Sequence, residues 1–204
     1  MKTKLQIAIL LLLSSFLTNC SGKKVDYGEV KDGVYSNAFF NFSINIPDNW
    51  FFRDGKQVDE FKNSVPIDDK KLKTVVKNTT SLLSVYQYDE WDSPEFNPSL
   101  EIVAMNLQSV PEFKTEMEHL ANAADARIWT TENETYDFIE LSRNTINGID
   151  FHLMTTVTIA ENFYLLKKCY MAIRNDLVLC FVLSSAEKEQ DDIMMKSMET
   201  IKFY

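Results

Sequence analysis

The chain has 204 residues, with 30 acidic side chains against 21 basic ones and a formal net charge of −9. That length suits one domain, and 45% hydrophobic residues suffice for a core. The acidic balance argues against nucleic acid and anionic lipid headgroups as partners, because both are held by basic patches.

Lys2 and Lys4 precede an apolar run over residues 5–17, interrupted by Gln6, Ser14 and Ser15. A membrane-spanning helix needs about 20 apolar residues to cross roughly 30 Å of hydrocarbon. A basic start and a short apolar core describe an export signal instead. The run ends in Leu17-Thr18-Asn19-Cys20, which resembles the lipobox of bacterial lipoproteins. The resemblance implies cleavage before Cys20 and acylation of its sulfur, including palmitate, so that the membrane partner is reached through a lipid anchor. Ser21 is not acidic, which in the known sorting pathway implies outer-membrane attachment, facing the periplasm or outside. Asn19 departs from the usual Gly, Ala or Ser, and an ordinary signal peptide is the other reading. Residues 1–19 are therefore read as signal peptide, 20–32 as the lipidated cysteine and a polar tether, and 33–204 as a single domain.

Residues 33–37 and 40–46 read as a first strand pair, since Phe42, Ile44 and Ile46 alternate with Ser43 and Asn45. Pro47-Asp48-Asn49 ends it, and Trp50-Phe51-Phe52 follows as a bulky core plug. The spacing of Leu72, Val75 and Val76 predicts a short helix within residues 66–77. Strands are predicted over 82–88 and 100–107, separated by an acidic loop with two prolines. Ser109 and Glu112 have capping-box spacing, and Phe113, Met117, Leu120, Ala121, Ala124 and Ile128 trace one helical face. Strands over 136–146, 149–159, 163–173 and 177–183 follow, with turn signals at Asn147-Gly148 and Glu161-Asn162; Asn-Gly suits a type I′ hairpin turn. A last helix over 187–200 carries Met194, Met198 and Ile201 on one face.

Four strands joined by tight turns must pair antiparallel, because parallel neighbours need crossovers of about a dozen residues. Several strands are apolar on both faces, so the sheet should be covered on both sides. The expected class is α+β, a layered α/β/α sandwich on a central antiparallel sheet. The segment Phe42-Ser43-Ile44-Asn45-Ile46-Pro47 followed by Trp50, and the element order to the Ile201-Lys202-Phe203 tail, resemble PsbP-like domains, a fold that includes small DcrB-like bacterial lipoproteins. The resemblance implies a fold and no chemistry, since this fold hosts unrelated roles.

No catalytic constellation is visible. His119 and His152 are the only histidines, and neither has ligand spacing, so no metal and no cofactor are expected. Asp89, Glu90, Asp92 and Glu95 lack the alternating ligands and central Gly of a calcium loop. Trp91 and Phe96 beside those charges either fold back on the core or form a partner-facing patch. Cys169 and Cys180 flank the 174–176 turn. With Arg174-Asn175 as the loop they face each other and a disulfide is within reach. A loop shifted by one residue breaks that register and leaves two buried thiols. The expected role is a non-catalytic binding or assembly module that engages an unknown envelope protein, with Asp89, Glu90, Trp91, Asp92 and Phe96 as the candidate contact. The alternative is a carrier of a small hydrophobic or cationic ligand in a pocket between sheet and helix.

Overall fold

The structure is a computed structural model and describes residues 26–64, 73, 76–89, 96–106, 138–160 and 163–204. Cys20, the predicted helices over 66–77 (but for 73, 76 and 77) and from Ser109 onward, and the Glu161-Asn162 turn lie outside the described residues. So do His119, Glu90, Trp91 and Asp92.

In chain order the strands are β1 (Glu29–Lys31), β2 (Val34–Asn37), β3 (Phe42–Asn45) and β4 (Phe51–Asp54), followed by helix α1 (Gly55–Ser64). Then come β5 (Thr79–Tyr86), β6 (Ser99–Asn106), β7 (Phe138–Ile146), β8 (Ile149–Ala160), β9 (Phe163–Arg174) and β10 (Leu177–Ser185). Helix α2 (Lys188–Met198) and β11 (Lys202–Phe203) close the chain. Seven strands form one sheet in the order β4-β5-β6-β10-β9-β8-β7, and four form a second in the order β1-β2-β3-β11. Among the described residues every pairing is antiparallel, so the class is α+β as the hairpin signals implied. Asn147 and Gly148 both have positive φ, 51° and 78°, as a type I′ turn requires.

One face of the large sheet carries the main core. Leu179, Phe181 and Leu183 of β10 line up with Leu100 and Ile102 of β6, Tyr170 of β9 and Phe151 of β8. Against them pack Tyr35, Phe42 and Ile44 of the small sheet together with Met194 and Met198 of α2. Phe181 is the joint, edge-on to Phe42 at 5.5 Å and to Phe151 at 5.9 Å. This layer is thus half sheet and half helix, where the sequence suggested helix alone.

The first and last strands both join the small sheet, at its opposite edges. Glu187 and Gln190 form a capping box that starts α2. Past the helix, Ile201 is buried and Lys202–Phe203 pairs with Ser43 and Phe42. The tether reading for residues 20–32 extends too far. Glu29–Lys31 pairs with β2, the Tyr35 hydroxyl donates to the Tyr27 carbonyl at 2.7 Å, and Asn37 donates to the Asp26 carbonyl at 2.8 Å. A short polar stretch without periodicity still made an edge strand, because β2 offered it a ladder.

Candidate functional site

The local feature that builds the site is a helix start. Asp54 closes β4 and caps α1. The Gln57 amide donates to the Asp54 carboxylate at 2.9 Å, and the Asp54 amide donates to Gln57 Oε1 at 3.1 Å. This Asp-x-x-Gln pair is a capping box, and it turns the chain sharply from strand to helix. Helix α1 then lies against β5 where the β5–β6 ladder shifts register between Ser81 and Leu83. The Ser81 amide there donates to Asp59 Oδ1 at 3.2 Å, Lys62 donates to the Ser81 hydroxyl, and Tyr27 donates to Asp59 Oδ2 at 3.2 Å. A bulge in the strand thus supplies polar groups for the helix to grip.

The result is an aromatic cleft at the β4 edge of the large sheet. Its volume is about 580 Å3, within the ordinary range of ligand sites of about 300–1,000 Å3. Trp50, Phe51, Phe52, Phe61, Tyr86 and Tyr88 line it, with Arg53, Asp89 and Asn97 as the polar groups. Phe51 and Phe52 are each 49% exposed and Phe61 59%. The core-plug reading is corrected accordingly. Trp50 is partly buried at the margin of the core, while the two phenylalanines face solvent.

The predicted contact loop starts at this cleft. Asn97 ties its base, accepting from the Tyr88 amide at 3.1 Å and donating to the Tyr88 carbonyl at 2.9 Å. The Gln87 amide donates to the Pro98 carbonyl at 3.1 Å. Asp89 and Asn97 therefore stand on the cleft wall, and Phe96 is partly buried. Phe61, Tyr86 and Tyr88 escaped the sequence reading. The signals that point to them are the Asp54/Gln57 capping spacing and the run of three aromatics at 50–52.

Burial raises the Tyr86 phenol above its ordinary value, and the charge of Glu101 adds to this, against the Ser84 hydroxyl and Arg53. Glu101 lies in central strand β6, opposite Ser84 on one side and Val182 on the other. Burial lifts its carboxyl above the usual range although Lys62 and Lys167 pull it down. Among the described residues no three His, Cys, Asp or Glu side chains converge as a metal site of that kind needs. The cleft offers ring faces, one cation and one carboxylate, which suit binding and orientation.

Cys169 and Cys180 are free, buried thiols. The hairpin loop is Asn175-Asp176, both at positive φ (53° and 65°), so Arg174 pairs with Leu177. That one-residue shift from the Arg174-Asn175 loop sets Cys180 opposite Met171 and Cys169 opposite Val182. The face-to-face register that a disulfide required is absent. His152 is buried in β8.

No family model matches the chain, and no curated protein matches it in sequence. Among solved structures it is similar to the cyanobacterial PsbP (CyanoP) from Synechocystis sp. PCC 6803. The two share 12% identity over 92% of this chain and 99% of that one, with a TM-score of 0.47. The likeness concerns the course of the backbone and says nothing about what this chain binds.

Proposed function

We propose that the protein is a membrane-anchored envelope lipoprotein acting as a non-catalytic binding module, with the aromatic cleft beside β4 as its contact surface. One observation carries this reading. Of the eight exposed large hydrophobic side chains among the described residues, Phe51, Phe52, Phe61 and Tyr88 gather in this one cleft. Scattered apolar side chains on a surface mean little, but a contiguous patch marks an interaction site. The acidic sequence that follows Tyr88, with Asp89, Glu90, Asp92 and Glu95, favours an envelope protein segment that pairs apolar side chains with positive charge. Anchoring rests on Cys20. Among the described residues no helix is long and apolar enough to cross a membrane.

The test is affinity capture from the protein's own membranes with wild type, Phe51→Ser and Phe61→Ser. Both rings are about half exposed, so the variants stay folded. A partner held by wild type and lost by both variants supports the reading. A partner captured equally by all three sinks it.

The cleft volume favours a second reading, a carrier of a small hydrophobic or cationic ligand. Ring faces attract organic cations, and Asp89 supplies the counter-charge. Native mass spectrometry of the extracted protein separates the two. A small molecule bound to wild type and missing from Phe61→Ser identifies a carrier.

A further inference from the structure

The second face of the large sheet holds a separate buried cluster of Val103, Met105, Met154, Cys169, Met171, Val178 and Cys180. Five of these seven side chains carry sulfur. Among the described residues of the main core only Met194 and Met198 do, of 21 buried ones. The two cores therefore differ in chemistry as well as in position.

Register decides how the sulfurs meet. Cys180 lies directly opposite Met171, and Met171 directly opposite His152. One row away, Cys169 lies directly opposite Met154. Directly opposed Cβ atoms are about 4.5–5.5 Å apart, and diagonal neighbours about 7–8 Å. Cys169 and Cys180 are diagonal neighbours across β9 and β10, both buried on the same face of the sheet. A disulfide needs Cβ atoms about 3.5–4.5 Å apart. The diagonal is too wide for that bond and suits two sulfurs that share an ion between them.

We propose that Cys169 and Cys180, supported by the thioethers of Met154 and Met171, form a buried site for a soft monovalent metal ion of the Cu(I) type. Thiolate and thioether sulfurs select Cu(I) over hard cations, which take oxygen. Structural zinc asks for four nitrogen or sulfur ligands, with thiolates and imidazoles in the set. The described residues bring no third His, Cys or carboxylate into such a group. A low-coordinate, soft ion is what two thiols and neutral thioethers can satisfy. One of the two cysteines gives up its proton to solvent and binds as thiolate, the other stays a neutral thiol donor, and the metal keeps its oxidation state. Loss of one proton for one Cu(I) leaves the net charge of an apolar pocket unchanged. Cys169 and Met154 are the open side of the pair, 7% and 9% exposed against 2% for Cys180 and 3% for Met171. The ion enters from there.

The full chain is purified in detergent with its thiols reduced and titrated anaerobically with Cu(I) against a competing chelator. The expected result is one ion bound per chain, proton release on uptake and a sulfur-dominated shell by X-ray absorption. Cys20→Ser retains that ion, which removes the third thiol from consideration. Cys169→Ser and Cys180→Ser each weaken uptake by more than about 100-fold, beyond the loss typical of a supporting group. Met154→Leu and Met171→Leu conserve volume and weaken it by about 10-fold. Should the serine variants unfold, the leucine variants decide. No stoichiometric uptake by wild type, or unchanged affinity in Met154→Leu and Met171→Leu, overturns the proposal.

Discussion

Gly55 and Ser81 approach so closely that a Cβ on Gly55 would lie 2.0 Å from the Ser81 carbonyl oxygen. The obstacle is strand backbone, which cannot swing aside like a flexible side chain. Gly55 is the first residue of α1, so this contact sets how near the helix rides to β5. It thereby sets where Phe61 stands in the cleft.

Gly55→Ala should therefore act at a distance. Overpacking typically costs about 1–3 kcal/mol, and here α1 must lift or slide. We expect a fall in the melting temperature and impaired capture of any ligand or partner that Phe61 helps to hold. A variant with wild-type melting and wild-type capture would show that α1 is not positioned by this contact.

Lys168 and Asp191 join β9 to α2 at 2.6 Å, with side chains only 21% and 12% exposed. Breaking a buried pair by removing one partner strands the other charge and costs about 3–5 kcal/mol. Partial exposure of Lys168 brings the expected loss for Lys168→Met to about 2 kcal/mol. The double variant Lys168→Met/Asp191→Leu should recover most of it, since an apolar pair needs no solvent. Urea denaturation of the three proteins measures this. Equal loss in single and double variants would place the effect in packing and not in charge.

Burial raises the Tyr170 phenol to about 12, and the Asp191 carboxylate adds to the shift. In the unfolded chain a tyrosine titrates near about 10. The folded state therefore holds this proton when the unfolded state has lost it. The stability so gained is intact below about pH 10 and declines as pH rises towards about 12. Tyr170→Phe has no such proton, so its stability relative to wild type should improve across that window. Denaturation at graded alkaline pH tests the slope. A constant difference between the two proteins would refute it.

Metabolic labelling with a palmitate analogue should mark the wild type and spare Cys20→Ser. Equal labelling of both would remove the lipid anchor from the proposed role. Fractionation with the inner membrane would remove outer-membrane attachment alone, because that rests on Ser21.

Local pattern was enough for most elements of this protein. The period-2 alternation over Phe42, Ile44 and Ile46, the Asn147-Gly148 turn and the apolar face of the last helix all depend on neighbours within a few residues. The strands over 82–88, 100–107 and 177–183 stand within a few residues of β5, β6 and β10. The site was less legible. Asp89 stands on the cleft wall, but nothing near it announces Phe61, which arrives through the turn at Asp54.

Tertiary structure alone decided which edges meet. That β10 lies between β6 and β9, and that Phe203 reaches back to Phe42, is set by burying two apolar faces at once. Segments far apart in the chain carry no local mark of their partner. Register is the sharpest case. One residue's difference in the loop at Asn175-Asp176 gives each cysteine a different neighbour and replaces a disulfide with a sulfur cluster. Pairing has a period of two, so a single step changes every cross-strand contact; only the packed sheet selects among the registers that the sequence permits.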